Sequence, residues 1–183
     1  MRRTRSALIA AFNELVLHSG QKDIRVADII SRADIGRSTF YDHYGSAADL
    51  HMEALSAPFA ILADAVTRRG DLDRLELLLD HFWENRARAR DTFSGPRGDR
   101  VTRLLAEMVE ERLADGGEDY VLPLPLLALQ IAELALAPIR GWVSAAAPCT
   151  SADLARGIGA AARALREALS EASPAARRSP SAC

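Results

Sequence analysis

The short run from Arg37 to His43 concentrates side chains that suit hydrogen bonding to a polyanion. The planar fork of Arg37 matches the two acceptors on the edge of a guanine. Ser38, Thr39, Tyr41 and His43 carry hydroxyl or imidazole donors of the kind that bind phosphate oxygens and base edges. Arg25 adds a cation shortly before them. Asp42 stands in the same run. It would accept from a cytosine amino group or repel phosphate, and the sequence leaves both open.

Such side chains read a groove only if a helix presents them. Val26, Ile29 and Ile30 recur at helical spacing, which predicts a helix from about Arg25 to Ala33. Phe40 and Tyr44, four apart, predict a second from about Arg37 to Tyr44 with those two rings in the core. Asp34-Ile35-Gly36 is the break between them: Asp tolerates a left-handed backbone, Gly adopts it freely, and Ile35 pins the turn. A preceding helix, about Ser6 to Ser19, carries Leu8, Phe12, Leu15 and Val16 on one stripe to brace the pair, with Gly20 as its terminator. Helix, tight turn, helix is the unit that lays its second helix in the major groove of DNA.

Other chemistries find little support. The chain has no glycine-rich phosphate loop, no Gly-x-Ser-x-Gly and no His-Glu-x-x-His, so an enzyme is not expected. Its carboxylates scatter along helix faces. His18, His51 and His81 read as surface or satisfied, partly buried residues. Cys149 and Cys183 lie outside any metal-ligand spacing, so no metal, cofactor or disulfide framework is expected, and a reducing cytoplasmic setting follows. Arg2-Arg3-Thr4-Arg5 before an apolar run resembles a signal peptide, but Asn13 and Glu14 interrupt that run too early. A net charge of −2 argues against non-specific coating of nucleic acid. It leaves room for a local basic face built from Arg2, Arg3, Arg5, Arg25 and Arg37.

Arg37-Ser-Thr-Phe-Tyr-Asp-His-Tyr-Gly-Ser46, with Val26-Ala-Asp-Ile-Ile before it and Ala47-Ala-Asp-Leu50 after it, resembles the DNA-binding end of TetR-family transcriptional regulators. The resemblance covers the first quarter to third of the chain. It implies DNA contacts from Arg25, Arg37, Ser38, Thr39, Tyr41 and His43, with Thr39, Tyr41 and His43 carried over position by position. It also implies a homodimer that presents two recognition helices to a pseudo-palindromic operator, with half-sites about 34–36 Å apart or a multiple of that. Three positions depart from the family pattern. Arg25 stands where a capping Ser or Thr is usual, Asp34 where Gly is usual, and Ala47 where a phosphate-binding lysine is usual.

The remaining chain also reads as helical, so the fold expected is all-α; the resemblance implies an N-terminal three-helix helix-turn-helix DNA-binding domain followed by a helical ligand-binding and dimerisation domain. The expected boundaries are 1–46 for the DNA-binding domain and 47–70 for a connecting region. Residues 71–172 would form the effector domain and 173–183 a disordered tail. Ser46 caps the connecting helix, with Asp49 at the capping-box position. Pro58 kinks or ends that helix, and Arg69-Gly70 stops the segment after it. Helices follow from Asp71 to the Arg86-Ala-Arg-Ala-Arg90 piece and from about Val101 to Gly117. Thr92-Phe-Ser-Gly-Pro-Arg-Gly98 between them predicts a loop.

Val121 to Ile139 is nearly continuous apolar sequence, but Glu133 and the prolines disfavour a membrane span. A helix apolar all round is buried on every side, so a second copy of the chain is expected to cover one face. The last helix, about Ser151 to Glu171, would join that four-helix interface. Phe59, His81, Phe82, Trp83, Phe93, Met108 and Trp142 mix aromatic bodies with polar handles and are the candidates for lining a small-molecule effector site. The function expected is a sequence-specific regulator, a ligand-responsive repressor, with a dimeric helical interaction protein that has lost DNA binding as the alternative.

Overall fold

A computed structural model describes residues 2–19, 24–67 and 70–170. The 173–183 tail, Gly20, Arg69 and Cys183 lie outside the described residues, as do the side chains of Arg2 and His18. The described chain is all-α, with helices α1 (Arg2–Ser19), α2 (Val26–Ala33), α3 (Arg37–Tyr41), α4 (Ala47–Ala54) and α5 (Ser56–Thr67). They are followed by α6 (Leu72–Glu84), α7 (Arg86–Phe93), α8 (Gly95–Gly116), α9 (Leu124–Val143) and α10 (Ser151–Leu169). Among the described residues there is no strand, only an isolated bridge between Tyr120 and Ser170.

Two apolar clusters organise the molecule. The smaller joins Leu8 and Phe12 of α1, Ile29 of α2, Phe40 of α3, Leu50 of α4, and Tyr44 in the turn between α3 and α4. The larger runs from Phe59 of α5 through α6, α7, α8 and α9 to Ala162 of α10. Leu50 and Ala54 pack with the first cluster, while Met52 and Leu55 pack against the second, so α4 is the shared wall.

Several elements begin or end where local chemistry overrides periodicity. α1 starts at Arg2 rather than Ser6, because Arg5 continues the Leu8–Phe12 stripe: its guanidinium bonds Glu53 of α4 at 2.7 Å and lies over the Tyr44 ring. α3 stops at Tyr41, although Tyr44 still bonds back to the Phe40 carbonyl at 2.9 Å, so the predicted spacing of the two rings survives in a turn. The chain breaks at Leu55, three residues before Pro58. A proline ring collides with the carbonyl four residues earlier, here that of Ala54, so α4 ends at Ala54 and Pro58 falls in the first turn of α5, where it is tolerated.

The loop expected from Thr92 to Gly98 shrinks to Ser94. Pro96 sits in the first turn of α8, and Gly95 takes the positive φ of 57° that re-aims the chain. A Cβ on Gly98 would meet the Phe93 carbonyl oxygen at 2.5 Å, so only glycine lets α8 start this close to α7. α9 is not covered on every side. Leu127, Ile131, Ala135 and Ile139 are fully buried, while Leu126 and Leu129 are 56% and 42% exposed. By length and composition α9 could cross a membrane, but half of its most apolar window is buried inside the helical core. Its Glu133 accepts from Thr102 of α8 at 3.1 Å and pairs with Arg140.

Candidate nucleic-acid interface and effector cavity

The turn between α2 and α3 is held by one residue in the left-handed region. Asp34 has φ 52° and ψ 50°, and the next amide, of Ile35, bonds the Ile30 carbonyl at 3.0 Å. Gly36, with φ −66°, is extended and does not supply the left-handed backbone expected of it. A Cβ there would find only ordinary contacts. The strain of the turn therefore falls wholly on an aspartate. At the start of α2 the Asp28 carboxylate accepts the Arg25 backbone N–H at 3.0 Å. Arg25 has no side-chain acceptor for a cap, yet that N–H is still satisfied, and its own side chain remains exposed.

On α3, buried and exposed positions separate cleanly. Phe40 is completely buried and Tyr44 nearly so, their rings 5.8 Å apart. Arg37, Ser38 and Tyr41 face solvent, and Thr39 and His43 are half-buried. The Arg37 guanidinium lies 5.7 Å from the centroid of the Tyr41 ring, one turn on, so the two form a single exposed unit. Among the expected basic residues, Arg5 is committed to Glu53 and Tyr44. Arg32, which the sequence did not single out, pairs with Glu14 and ties α2 to α1. Two cations of α8, Arg97 and Arg100, line a small depression beside Ala47 and Ala48 at the start of α4.

A cavity of about 440 Å³ opens at the seam between the two clusters. Phe12, Asn13 and Val16 of α1 and His51, Ala54 and Leu55 around α4 form one wall. Phe59 of α5, His81, Phe82 and Asn85 at the end of α6, and Arg88, Thr92 and Phe93 of α7 form the other. Four of the seven expected lining residues, Phe59, His81, Phe82 and Phe93, meet here. The other three lie elsewhere. Trp83 and Trp142 stack on each other, ring centroids 4.8 Å apart, and Met108 packs against the larger core.

The polar edge of this cavity was missed by the sequence reading. Asn85 donates to the His81 carbonyl at 2.9 Å and ends α6, as asparagine does when its side chain competes with the helix backbone. Arg88 Nη1 then donates to the Val16 carbonyl of α1 at 3.1 Å. His51 is buried against Phe12, ring centroids 5.3 Å apart, and burial, helped by Arg97, holds its pKa down at about 4. It is therefore neutral near pH 7. The positions 81, 85, 88 and 92 are three or four residues apart, a spacing that could have flagged the edge had α6 and α7 been read as one face.

No family model and no curated protein matches the chain. Solved structures do. A TetR-family transcriptional regulator of Syntrophomonas wolfei is 18% identical, with a TM-score of 0.56 over 90% of this chain and 95% of its own. FadR of Thermus thermophilus, a TetR-family repressor solved with lauroyl-CoA, is 21% identical with a TM-score of 0.52 over 97% of this chain and all of its own. RolR, solved with resorcinol, is 20% identical with a TM-score of 0.52 over 96% of this chain and 92% of its own. The protein has the TetR-family fold over essentially its whole described length.

Proposed function

We propose that the protein is a sequence-specific DNA-binding transcriptional regulator, a ligand-responsive repressor that acts as a homodimer in the cytoplasm. The observation that carries this reading is the partition of α3: Phe40 is buried while Arg37 and Tyr41 stand exposed and stacked beside it. A helix whose packing locks its backbone while its charged face stays open is what groove recognition requires. Arg37, with Tyr41 against it, would read base edges. Ser38, Thr39, His43 and Arg25 would anchor the phosphates. Residues 1–46 form the DNA-binding domain in this reading, 47–70 the connection, 71–172 the effector and dimerisation domain, and 173–183 the tail.

Dimerisation is supported by the outer faces of α9 and α10. Leu126 and Leu129 are exposed on α9, and on α10 Gly157, Ala160, Ala161, Ala164 and Ala168 leave an open strip of small side chains. Small residues at this spacing let two helices approach closely, and the exposed leucines give the contact an apolar driving force. Sedimentation should return twice the chain mass.

The seam cavity is the effector site in this proposal. Its volume lies within the about 300–1,000 Å³ usual for small-molecule sites, and it touches both α1 and α7. A ligand that fits only one arrangement of the two lobes shifts the population toward it. Fluorescence anisotropy with a labelled fragment from immediately upstream of the coding sequence tests the DNA-binding reading. Saturable, salt-dependent binding that Arg37→Ala and Tyr41→Ala abolish supports it. Binding indifferent to both substitutions overturns the assignment of Arg37 and Tyr41, and no binding at all supports instead a helical dimer without DNA function.

A further inference from the structure

The bond from Arg88 to α1 gives the cavity a chemical preference and a means of signalling. The last four carbonyls of a helix have no partner within it, and in α1, which ends at Ser19, Val16 is the first of those four. Arg88 brings a full positive charge to this carbonyl at 3.1 Å, where the negative end of the helix dipole favours a cation. It reaches there from α7, so one hydrogen bond joins the DNA-binding lobe to the effector lobe across the cavity. Arg88 is also one of the residues that line that cavity.

The surroundings select what else that guanidinium would hold. Among the described residues lining the cavity, none is an aspartate or glutamate. Phe12, Phe59, Phe82 and Phe93 supply an aromatic body, with Phe82 and Phe93 edge to face at 5.4 Å. His81 and Asn85 stand on the Arg88 side. The Arg88 bond to the Val16 carbonyl has an ionised donor and a neutral acceptor, whereas a carboxylate adds an opposite full charge and a second oxygen that the arginine fork holds bidentately. A carboxylate therefore outcompetes the Val16 carbonyl for the same N–H groups.

The geometry points to an effector that is a small aromatic carboxylate, with its rings among the four phenylalanines and its carboxylate on Arg88, which lets go of Val16 as the ligand binds. α1 loses its tie to α7, and the lobe carrying α3 is freed to change its angle to the rest. This inference rests on the reading of the cavity as the effector site.

The full-length protein is titrated by calorimetry with 2-naphthoate and with its neutral, equally sized amide, naphthalene-2-carboxamide, for the wild type and for Arg88→Gln. Amide hydrogen exchange in the last turns of α1 is followed in parallel. The expected result is at least tenfold tighter binding of naphthoate than of the amide by the wild type. Arg88→Gln should erase that difference while leaving amide affinity within about twofold. Exchange in α1 should accelerate on naphthoate binding and in unliganded Arg88→Gln alike. Equal affinity for the two probes, or an anion preference that survives Arg88→Gln, overturns the carboxylate inference and leaves the effector-site reading standing. Failure of both probes to bind at millimolar concentration overturns both. Unchanged α1 exchange in Arg88→Gln and in the naphthoate complex overturns the signalling step.

Discussion

Replacing Phe40 with alanine should unfold the N-terminal lobe, α1 to α4, and leave the C-terminal lobe intact. Phe40 is fully buried among Leu8, Phe12, Ile29, Tyr44 and Leu50, and this small cluster is the apolar core of the lobe. Phenylalanine-to-alanine changes at such sites cost about 3–5 kcal/mol. At about 0.05–0.15 kcal/mol per residue, a lobe of some fifty residues has roughly 3–8 kcal/mol to lose, so the substitution removes most of it. Two probes separate the lobes. Both tryptophans, Trp83 and Trp142, belong to the C-terminal lobe, whereas far-ultraviolet ellipticity reports every helix. α1 to α4 contain about three in ten of the described helical residues. Phe40→Ala should therefore lose about that share of ellipticity at low urea, while the tryptophan transition keeps its wild-type midpoint. A single transition shared by both probes, shifted as a whole, would show that the lobes unfold as one unit and refute the reasoning.

Three further outcomes follow from named contacts. Asp34→Gly removes a left-handed backbone from an L-residue and should raise the thermal stability of the N-terminal lobe by up to about 1 kcal/mol, partly offset by the freer unfolded chain. An unchanged or lower melting point would mean that the Asp34 side chain stabilises the turn by more than its backbone costs. His51 has a folded pKa lowered to about 4 from 6.5, so the unfolded state binds the extra proton between those values. Stability should be full above about pH 6.5 and fall as pH drops toward 4, by at most on the order of 3 kcal/mol. His51→Gln should flatten this limb in urea titrations at several pH values, and an unaltered limb would assign it to other groups. Ala164→Arg, on the open face of α10, should convert the proposed dimer to monomer in sedimentation without changing ellipticity; a persistent dimer would place the interface elsewhere.

The elements of the N-terminal lobe were legible because apolar spacing and packing agree there: Ile29, Phe40 and Tyr44 are core as their periodicity requires, and Ser46 caps α4 with its amide bond from Asp49 at 3.2 Å. What could not be read depends on single backbone events. Pro58 acts on a carbonyl four residues earlier, so the break appears at Leu55. Glycine and proline in the 92–98 run signal a loop equally well as a helix start, and only the approach of Gly98 to Phe93 decides. The cavity was half legible. Aromatic residues announced themselves, but Trp83 and Trp142 satisfy each other, whereas Arg88 stood out only as part of an Arg-rich piece because its partner, Val16, is 72 residues away in the chain.

Arg37 and Arg25 are expected to divide the labour of reading and anchoring DNA. The measurement is affinity for the upstream promoter fragment, and for a scrambled fragment of equal length, across a salt series. Arg37→Lys keeps the charge but loses the planar fork. It should weaken promoter binding about 5- to 150-fold, the equivalent of 1–3 kcal/mol, and leave scrambled-fragment binding near wild type. Arg25→Ala should weaken both fragments alike and lower the salt slope by about one. Wild-type promoter affinity in Arg37→Lys, or an Arg25→Ala effect confined to the promoter fragment, would contradict the assignment of reading to α3 and anchoring to the start of α2.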